Sequence, residues 1–237
     1  MIEIRELRKR YGHLDVLQGI DAAIPSARVT GIVGPNAAGK TTLIKSILGL
    51  VRSDSGSIEV DSVRVNGDET YRRKIGYMPQ IARFPSNLTG AELLAMLREL
   101  RPDVKEIDDE LIRAFGLGLE LTKKLNDLSG GTKQKINAVA AFLFKPATLI
   151  LDEPTAGLDP RSARILKDKI LGERRTGRTF IITSHVMSEL EELADNVIFI
   201  SEGKVRFSGS LEQIKRLTRQ VNLERAVAEL MEQGAAA

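Results

Sequence analysis

Residues 34–42 read GPNAAGKTT, in which two glycines bound a short loop and a lysine and two threonines follow it. An apolar run, VTGIV at residues 29–33, precedes this stretch, and apolar residues at helical spacing follow it from Leu43 onward. Strand, glycine-bounded loop, lysine, hydroxyl and helix, in this order, are typical of a phosphate-binding loop (P-loop). The alternative is a glycine-rich turn that only caps a helix.

The chemistry of a nucleotide triphosphate explains the residue types in the loop. Backbone N–H groups and the helix start attract anions, and glycine lets the backbone approach closely. We expect Lys40 to reach the outer phosphates and Thr41 to ligate Mg²⁺. The sequence therefore predicts a site for ATP or GTP. Its expected binding residues are Gly34, Pro35, Asn36, Ala37, Ala38, Gly39, Lys40, Thr41 and Thr42.

Composition excludes several classes of function for this chain of 237 residues. There is no cysteine, which excludes disulfides, thiolate zinc sites and cysteine nucleophiles. A net charge of +3 is too balanced to indicate a nucleic-acid partner. The longest apolar run, residues 138–144, falls short of the ~20 residues that a membrane span needs. We expect a soluble, cytoplasmic chain, so that any membrane span would belong to another polypeptide.

Strand patterns lie on both sides of the loop. Alternation from Ile2 and an apolar pattern at residues 16–24 predict N-terminal strands. Residues 53–56 predict a turn, and residues 58–60 and 63–65 predict a hairpin that Asn66-Gly67 would close. Continuous apolar runs at residues 147–151, 180–182 and 197–200 are typical of buried parallel strands.

Residues 81–135 carry helical patterns only. A capping box at Thr89 predicts one helix, residues 104–115 predict a second that ends at Gly116, and Ser129 predicts the start of a third. Residues 211–231 predict one or two amphipathic helices, and residues 234–237 a frayed tail.

These patterns predict an α/β protein with a P-loop NTPase core, a mainly parallel sheet, an N-terminal antiparallel β patch and an inserted all-helical subdomain. We expect a single domain over residues 1–237. Its core would take residues 1–80 and 136–210, its helical subdomain residues 81–135, and its C-terminal helical extension residues 211–237.

Asp152 and Glu153 end the apolar run that starts at residue 147. Carboxylates at the carboxyl end of a buried strand lie where open α/β sheets bind ligands. Asp152 suits Mg²⁺ binding, partly through water, and Glu153 suits a general base for an attacking water. The alternative is a solvated strand end without a function.

A second segment, LSGGTKQK at residues 128–135, places two glycines and a serine hydroxyl at another helix start. Such a helix start is a second potential anion site. Taken alone, Ser129 is better explained as an ordinary helix N-cap than as an anion site.

The segments GPNAAGKTT, LSGGTKQK and LILDEPTAGLDP (residues 149–160), in this order, resemble the nucleotide-binding subunit of an ABC transporter. The resemblance spans residues 2–207. It implies that two copies pair head to tail and that each ATP lies between one P-loop and the other chain's LSGG segment. Ser129, Gly130 and Gly131 would then contact the γ-phosphate in trans, with Asp159 at the dimer seam.

The same resemblance implies roles for three further residues. Gln80 would contact Mg²⁺ or water and couple to the membrane partner, His185 would contact the γ-phosphate, and Tyr11 would stack on adenine. Structural roles for His185 and Tyr11 are the alternatives. Ala37 departs from the family, which usually has glycine there. If Ala37 needs a positive φ, alanine costs about 1 kcal/mol.

The resemblance implies an ATP-hydrolysing motor subunit, peripheral on the inner face of the cell membrane, with ATP and Mg²⁺ as cofactors. Its partners would be a second copy of itself and a separate multi-span membrane subunit. Residues 76–80 (GYMPQ), LSGGTKQK and residues 141–146 (AFLFKP) are also similar to the export-type ATPase that serves copper-site assembly of nitrous-oxide reductase. The alternative function is a soluble mechanochemical ATPase without a membrane partner.

Overall fold

The computed structural model describes residues 1–65 and 69–235. The strands in chain order are β1 (Ile2–Tyr11), β2 (Leu14–Ile24), β3 (Val29–Val33), β4 (Ser55–Val60), β5 (Val63–Arg64), β6 (Ile75–Met78), β7 (Thr148–Asp152), β8 (Thr179–Thr183), β9 (Asn196–Ser201) and β10 (Lys204–Ser210). The α-helices are α1 (Lys40–Ile47), α2 (Gly90–Glu99), α3 (Glu110–Ala114), α4 (Gly130–Phe142), α5 (Pro160–Arg175), α6 (Met187–Leu193), α7 (Leu211–Thr218) and α8 (Leu223–Ala235).

A mainly parallel sheet carries the P-loop. Its order is β10-β9-β3-β8-β7-β6, in which only β10 pairs antiparallel, with β9. The strands predicted at residues 29–33, 147–151, 180–182 and 197–200 all lie in this sheet. The short edge strand β6 was not predicted. The expected fold class is confirmed.

The N-terminal antiparallel patch is a second sheet of order β2-β1-β4-β5. The predicted hairpin exists, but its turn is Asp61-Ser62, whose φ values of 48° and 67° suit a two-residue hairpin loop. The prediction that Asn66-Gly67 closes it was wrong, because Val60 already pairs with Val63; residues 66 and 67 themselves lie outside the described residues. The turn predicted at residues 53–56 is also shorter, since β4 begins at Ser55.

Two hydrophobic cores lie on opposite faces of the parallel sheet. Alternate side chains of one strand point to opposite faces, so Ile150 belongs to one core and Leu149 to the other. The first core contains α1 and the antiparallel sheet, and the second packs against α4 to α8 and the helices of the insert. This burial on both faces explains the continuous apolar runs of the parallel strands.

The insert between β6 and β7 has helices but no strands among residues 81–135. Helix α2 begins with the predicted capping box of Thr89 and Glu92. Helix α3 starts at residue 110, so the prediction of a helix over residues 104–115 was too long. Tertiary contacts prevent the longer helix, because the amide of Asp108 donates to the carbonyl of Leu143 and its carboxylate pairs with Lys169 at 2.7 Å.

The C-terminal segment forms two helices, α7 and α8, which pack against the second core. Helix α8 extends to Ala235, so the frayed tail predicted from residue 234 is helical at its start, and residues 236 and 237 lie outside the described part. Among the helices of the described residues, none has the length and apolar character to cross a bilayer.

Candidate nucleotide-binding site

A cleft of about 530 Å³ lies at the carboxyl ends of the parallel strands, where open α/β sheets bind ligands. Its lining unites five separate segments of the chain, namely the hairpin of β1 and β2, the P-loop, the segment after β6, the end of β7 and the end of β8. The lining residues predicted from the sequence are Tyr11, Asn36, Ala37, Ala38, Gly39, Lys40, Thr41, Thr42, Gln80, Asp152, Glu153 and His185. Gly34 and Pro35 start the same loop without lining the cleft.

The P-loop backbone takes conformations that favour glycine. A Cβ on Gly34 would lie 2.0 Å from the carbonyl oxygen of Ile200, so no other residue fits there. Gly39, with φ 105°, is the N-cap of α1 and packs against Val16. Ala37 has φ 62°, so this alanine does adopt the positive φ for which a cost in strain was expected.

Lys40 lies with its ammonium group inside the loop. Its Nζ donates to the carbonyl oxygens of Gly34 at 2.7 Å and Pro35 at 2.9 Å. Burial lowers the pKa of Lys40, and the charges of Glu153 and Asp152 oppose that effect. The loop thus presents a cation that is partly desolvated and close to two carboxylates.

Asp152 is buried at the end of β7 and bonds to the neighbouring strand. The hydroxyl of Thr183 donates to Asp152 Oδ1, and the two residues are direct partners in the pairing of β7 with β8. Other oxygen atoms of the cleft that can ligate a metal include those of the Thr41 hydroxyl and the Gln80 side-chain amide. This set of oxygen ligands fits Mg²⁺, which prefers carboxylate and hydroxyl oxygens.

Glu153 follows with its backbone in the left-handed region, at φ 52°. Its amide donates to the carbonyl and the hydroxyl oxygen of Thr183, both at 3.1 Å. Its carboxylate accepts from the His185 amide at 3.2 Å and lies 3.4 Å from His185 Nε2. The arrangement holds the carboxylate of Glu153 at the cleft, next to an exposed imidazole.

Tyr11 lies at the mouth of the cleft together with Leu14 and Val16. Its side chain is 48% exposed, and Lys9 Nζ lies 5.3 Å from its ring centroid. A half-exposed ring with two apolar neighbours offers a flat face on which a base can stack.

The four residues expected to act in trans lie outside the cleft lining. Ser129 caps α4 and accepts from the Thr132 amide at 3.1 Å. Asp159 caps α5 and accepts from the Ser162 amide at 2.9 Å, and its hydrogen bonds with Ser162 hold the pKa of Asp159 well below its usual range. A Cβ on Gly131 would lie 3.0 Å from the carbonyl of Gly157, so these two helix starts are neighbours.

Sequence reasoning missed Thr183, Leu14 and Val16 as site residues. Thr183 connects Asp152 and Glu153 through one hydroxyl group. Its position directly before Ser184-His185 was visible, but its partner depends on strand register, which no single-sequence pattern gives. Leu14 and Val16 reach the cleft because the hairpin of β1 and β2 folds over it.

Comparison with known proteins shows what this arrangement is similar to. The protein-family model described as ABC transporter matches residues 17–156. The linearmycin resistance ATP-binding protein LnrL of Bacillus subtilis (strain 168) is 37% identical over 212 residues, which cover 86% of this chain and 68% of that protein.

Two solved structures share the fold. An ATP-binding subunit of an ABC transporter matches with a TM-score of 0.88 at 29% identity, over 98% of this chain and 99% of that one. A dimeric ATP-binding cassette in a post-hydrolysis state, bound to ADP and Pi, matches with a TM-score of 0.79 over 89% of this chain and 99% of that one. The latter is 22% identical and is similar in fold alone.

Proposed function

The chain belongs to the ABC transporter family, whose ATP-binding subunits hydrolyse ATP, and we propose that it is the motor subunit of a membrane exporter that works as a head-to-tail dimer. The observation that carries this proposal is the division of the site residues into two groups. One cleft holds the P-loop, both carboxylates and His185, while the helix start at Ser129 and the Asp159 cap of α5 lie outside its lining.

The cleft suits binding and hydrolysis of Mg²⁺-ATP. The amides of the P-loop and Lys40 would bind the phosphates, and Thr41, Asp152 and Gln80 would hold Mg²⁺, which neutralises phosphate charge. The carboxylate of Glu153 would accept a proton from the attacking water. His185, which contacts the Glu153 carboxylate, would keep it oriented and contact the γ-phosphate.

The second copy of the chain completes the site in this proposal. Ser129, Gly130 and Gly131 present a helix start with no nucleotide cleft of their own chain beside it, which suits an anion brought by another chain. The dimeric state of the cassette with ADP and Pi that shares the fold supports the pairing. Asp159 would lie at the seam near these residues, because Lys135 of the same helix α4 pairs with the Asp159 carboxylate at 3.0 Å.

The membrane partner and the cargo are further parts of the proposal. The export role is our inference from the resistance role that the name of the LnrL relative gives. A separate multi-span subunit and a place on the inner face of the cell membrane complete the proposal. A role in copper-site maturation of nitrous-oxide reductase receives no support from the similar proteins above and stays a prediction. The division of the chain into a core (residues 1–80 and 136–210), a helical subdomain (81–135) and an extension (211–237) also stays a prediction. Co-purification with a membrane protein distinguishes the exporter from a soluble mechanochemical ATPase.

The dimer is tested with the Glu153→Gln variant, which should hold ATP without hydrolysing it. Light scattering should detect a dimer with ATP and a monomer without it. Adding Ser129→Arg to the same chain should abolish the dimer while ATP binding by the monomer survives, since Ser129 lies outside that chain's cleft. Loss of ATP binding by the monomer would place Ser129 in its own chain's site and refute the shared site.

Complementation gives a sharper test. A heterodimer of a Ser129→Arg chain with a Lys40→Ala chain carries both changes in one site and leaves the other site intact, so mixing two inactive variants should restore ATPase activity. The matched control places both changes in one chain and mixes it with the wild type. Each heterodimer then has two damaged sites, so the mixture should show only the activity of the remaining wild-type homodimers. If the mixture stays inactive while both variants fold, the shared site is refuted and Ser129 is only the N-cap of α4.

A further inference from the structure

Two side-chain amides are buried on α4, where the other buried residues are apolar. Gln134 is 6% exposed and Asn137 is 2% exposed. At a spacing of three residues they lie on the same face of the helix. Because a buried amide is costly unless its polar atoms are hydrogen-bonded, their partners indicate what the two residues do.

Asn137 connects α4 to the segment that carries Gln80. Its Nδ2 donates to the carbonyl oxygen of Pro79 at 2.8 Å and to Gln134 Oε1 at 3.2 Å. Pro79 directly precedes Gln80, which lines the nucleotide cleft. A change in the position of Asn137 therefore moves the backbone from which Gln80 projects.

Gln134 reaches the other side of the hydrolytic centre. Its Nε2 lies 3.4 Å from the carbonyl oxygen of Glu153, a long and therefore weak hydrogen bond. The left-handed backbone of Glu153 is unfavourable for a non-glycine residue and persists only where its surroundings hold it. Thr183 holds the amide of Glu153 and Gln134 contacts its carbonyl, so two elements fix this conformation from opposite sides.

We propose that Gln134 and Asn137 act as one positioning unit for ATP hydrolysis. The pair fixes the Pro79 carbonyl and the Glu153 carbonyl relative to each other, and so sets the relative positions of Gln80 and the Glu153 carboxylate across the cleft. An apolar pair of the same size would fill this space without desolvating amides. The inference rests on the proposed function, since hydrolysis at this cleft is the reaction that the pair serves.

Substitutions of equal size test the pair. Asn137→Leu and Gln134→Met remove the donors, and Asn137→Asp keeps the shape but replaces the donor by an acceptor. Each variant should lower kcat by about tenfold or more, with KM for ATP within about twofold of wild type, because misplaced catalytic groups slow the chemical step rather than binding. The double variant Gln134→Met/Asn137→Leu should be no slower than the slower single variant.

The matched control is Val139→Ala, which truncates a buried apolar residue of the same helix. It should lower the melting temperature and leave kcat unchanged, so a general loss of packing is distinguished from a loss of positioning. Unchanged kcat in the Asn137 variants, a rise in KM that accounts for the loss, or multiplication of the two single effects in the double variant would each overturn the proposal. Absence of ATPase activity in the wild-type chain would instead refute the proposed function.

Discussion

Ala37→Gly should stabilise the folded chain, against the usual effect of an alanine-to-glycine change. Ala37 is exposed and has φ 62°, a left-handed conformation that costs an L-residue roughly 1–2 kcal/mol. Glycine removes this cost but gives the unfolded chain more freedom, which is worth about 0.4–1 kcal/mol. The net gain in the free energy of unfolding is therefore about 0–1.6 kcal/mol, with a central value of about 0.8 kcal/mol. At about 2–4 °C per kcal/mol, the central value raises the melting temperature by roughly 2–3 °C.

The chain supplies two matched controls for this prediction. Ala27 is also exposed and left-handed, at φ 57°, so Ala27→Gly should give a similar gain far from the nucleotide. Ala38 is buried, at 3% exposure, and its φ is negative, so Ala38→Gly should lower stability by about 1–2 kcal/mol through lost burial and added freedom. Urea unfolding of the three variants measures these differences. If Ala37→Gly destabilises the chain as much as Ala38→Gly does, strain at residue 37 is not the cost that the geometry indicates.

Three other outcomes follow from the described contacts. Glu153→Gln should lower turnover by ~10²-fold or more and retain ATP binding, whereas Lys40→Ala should weaken ATP binding itself. If Glu153→Gln shows near-normal turnover in steady-state ATPase assays, Glu153 is not the base. Tyr11→Ala should weaken ATP binding by ~1–3 kcal/mol, whereas Tyr11→Phe should change it little and GTP should be a usable substrate. Calorimetry measures the binding, and strict selectivity for ATP would contradict recognition by stacking alone. Lys169→Met should lower the free energy of unfolding by about 3–5 kcal/mol, because Lys169 is 6% exposed in its side chain and its loss leaves the Asp108 carboxylate, which is 8% exposed, without this cation. A loss below about 1 kcal/mol in urea unfolding would contradict this ion-pair argument.

Patterns confined to one segment predicted most of the fold, and patterns that depend on distant partners did not. The capping box of Thr89 contains its own partner, so it could be predicted. The hairpin turn could not, because Asn66-Gly67 is the stronger turn pair, while the pairing of Val60 with Val63 places the turn at Asp61-Ser62. Strand β6 was missed because it contains Gly76, where a Cβ would lie 2.2 Å from the Ala141 carbonyl.

The same distinction applies to the candidate site. Lys40 and Glu153 belong to contiguous motifs whose chemistry can be interpreted residue by residue, and both line the cleft. Thr183 holds two carboxylate residues only because its strand pairs in register with Asp152. Asn137 has no motif at all in the sequence, and its contact with Pro79 joins residues 58 positions apart. The side chains that we propose to position the chemistry were therefore hidden from the sequence, whereas those that we propose to perform it were not.

Helix α4 connects the two proposals in one element. Its first residues are the helix start that would bind the second chain's nucleotide, and its next turns carry the amide pair that contacts its own chain's hydrolytic centre. The two functions are separable by position. Ser129→Arg should abolish the ATP-bound dimer of Glu153→Gln chains and leave the Pro79 contact intact, whereas Asn137→Leu should keep that dimer and slow hydrolysis. If Asn137→Leu also prevents the dimer at saturating ATP, the amide pair orients the helix start rather than the hydrolytic centre, and the kinetic effect is a consequence of lost association.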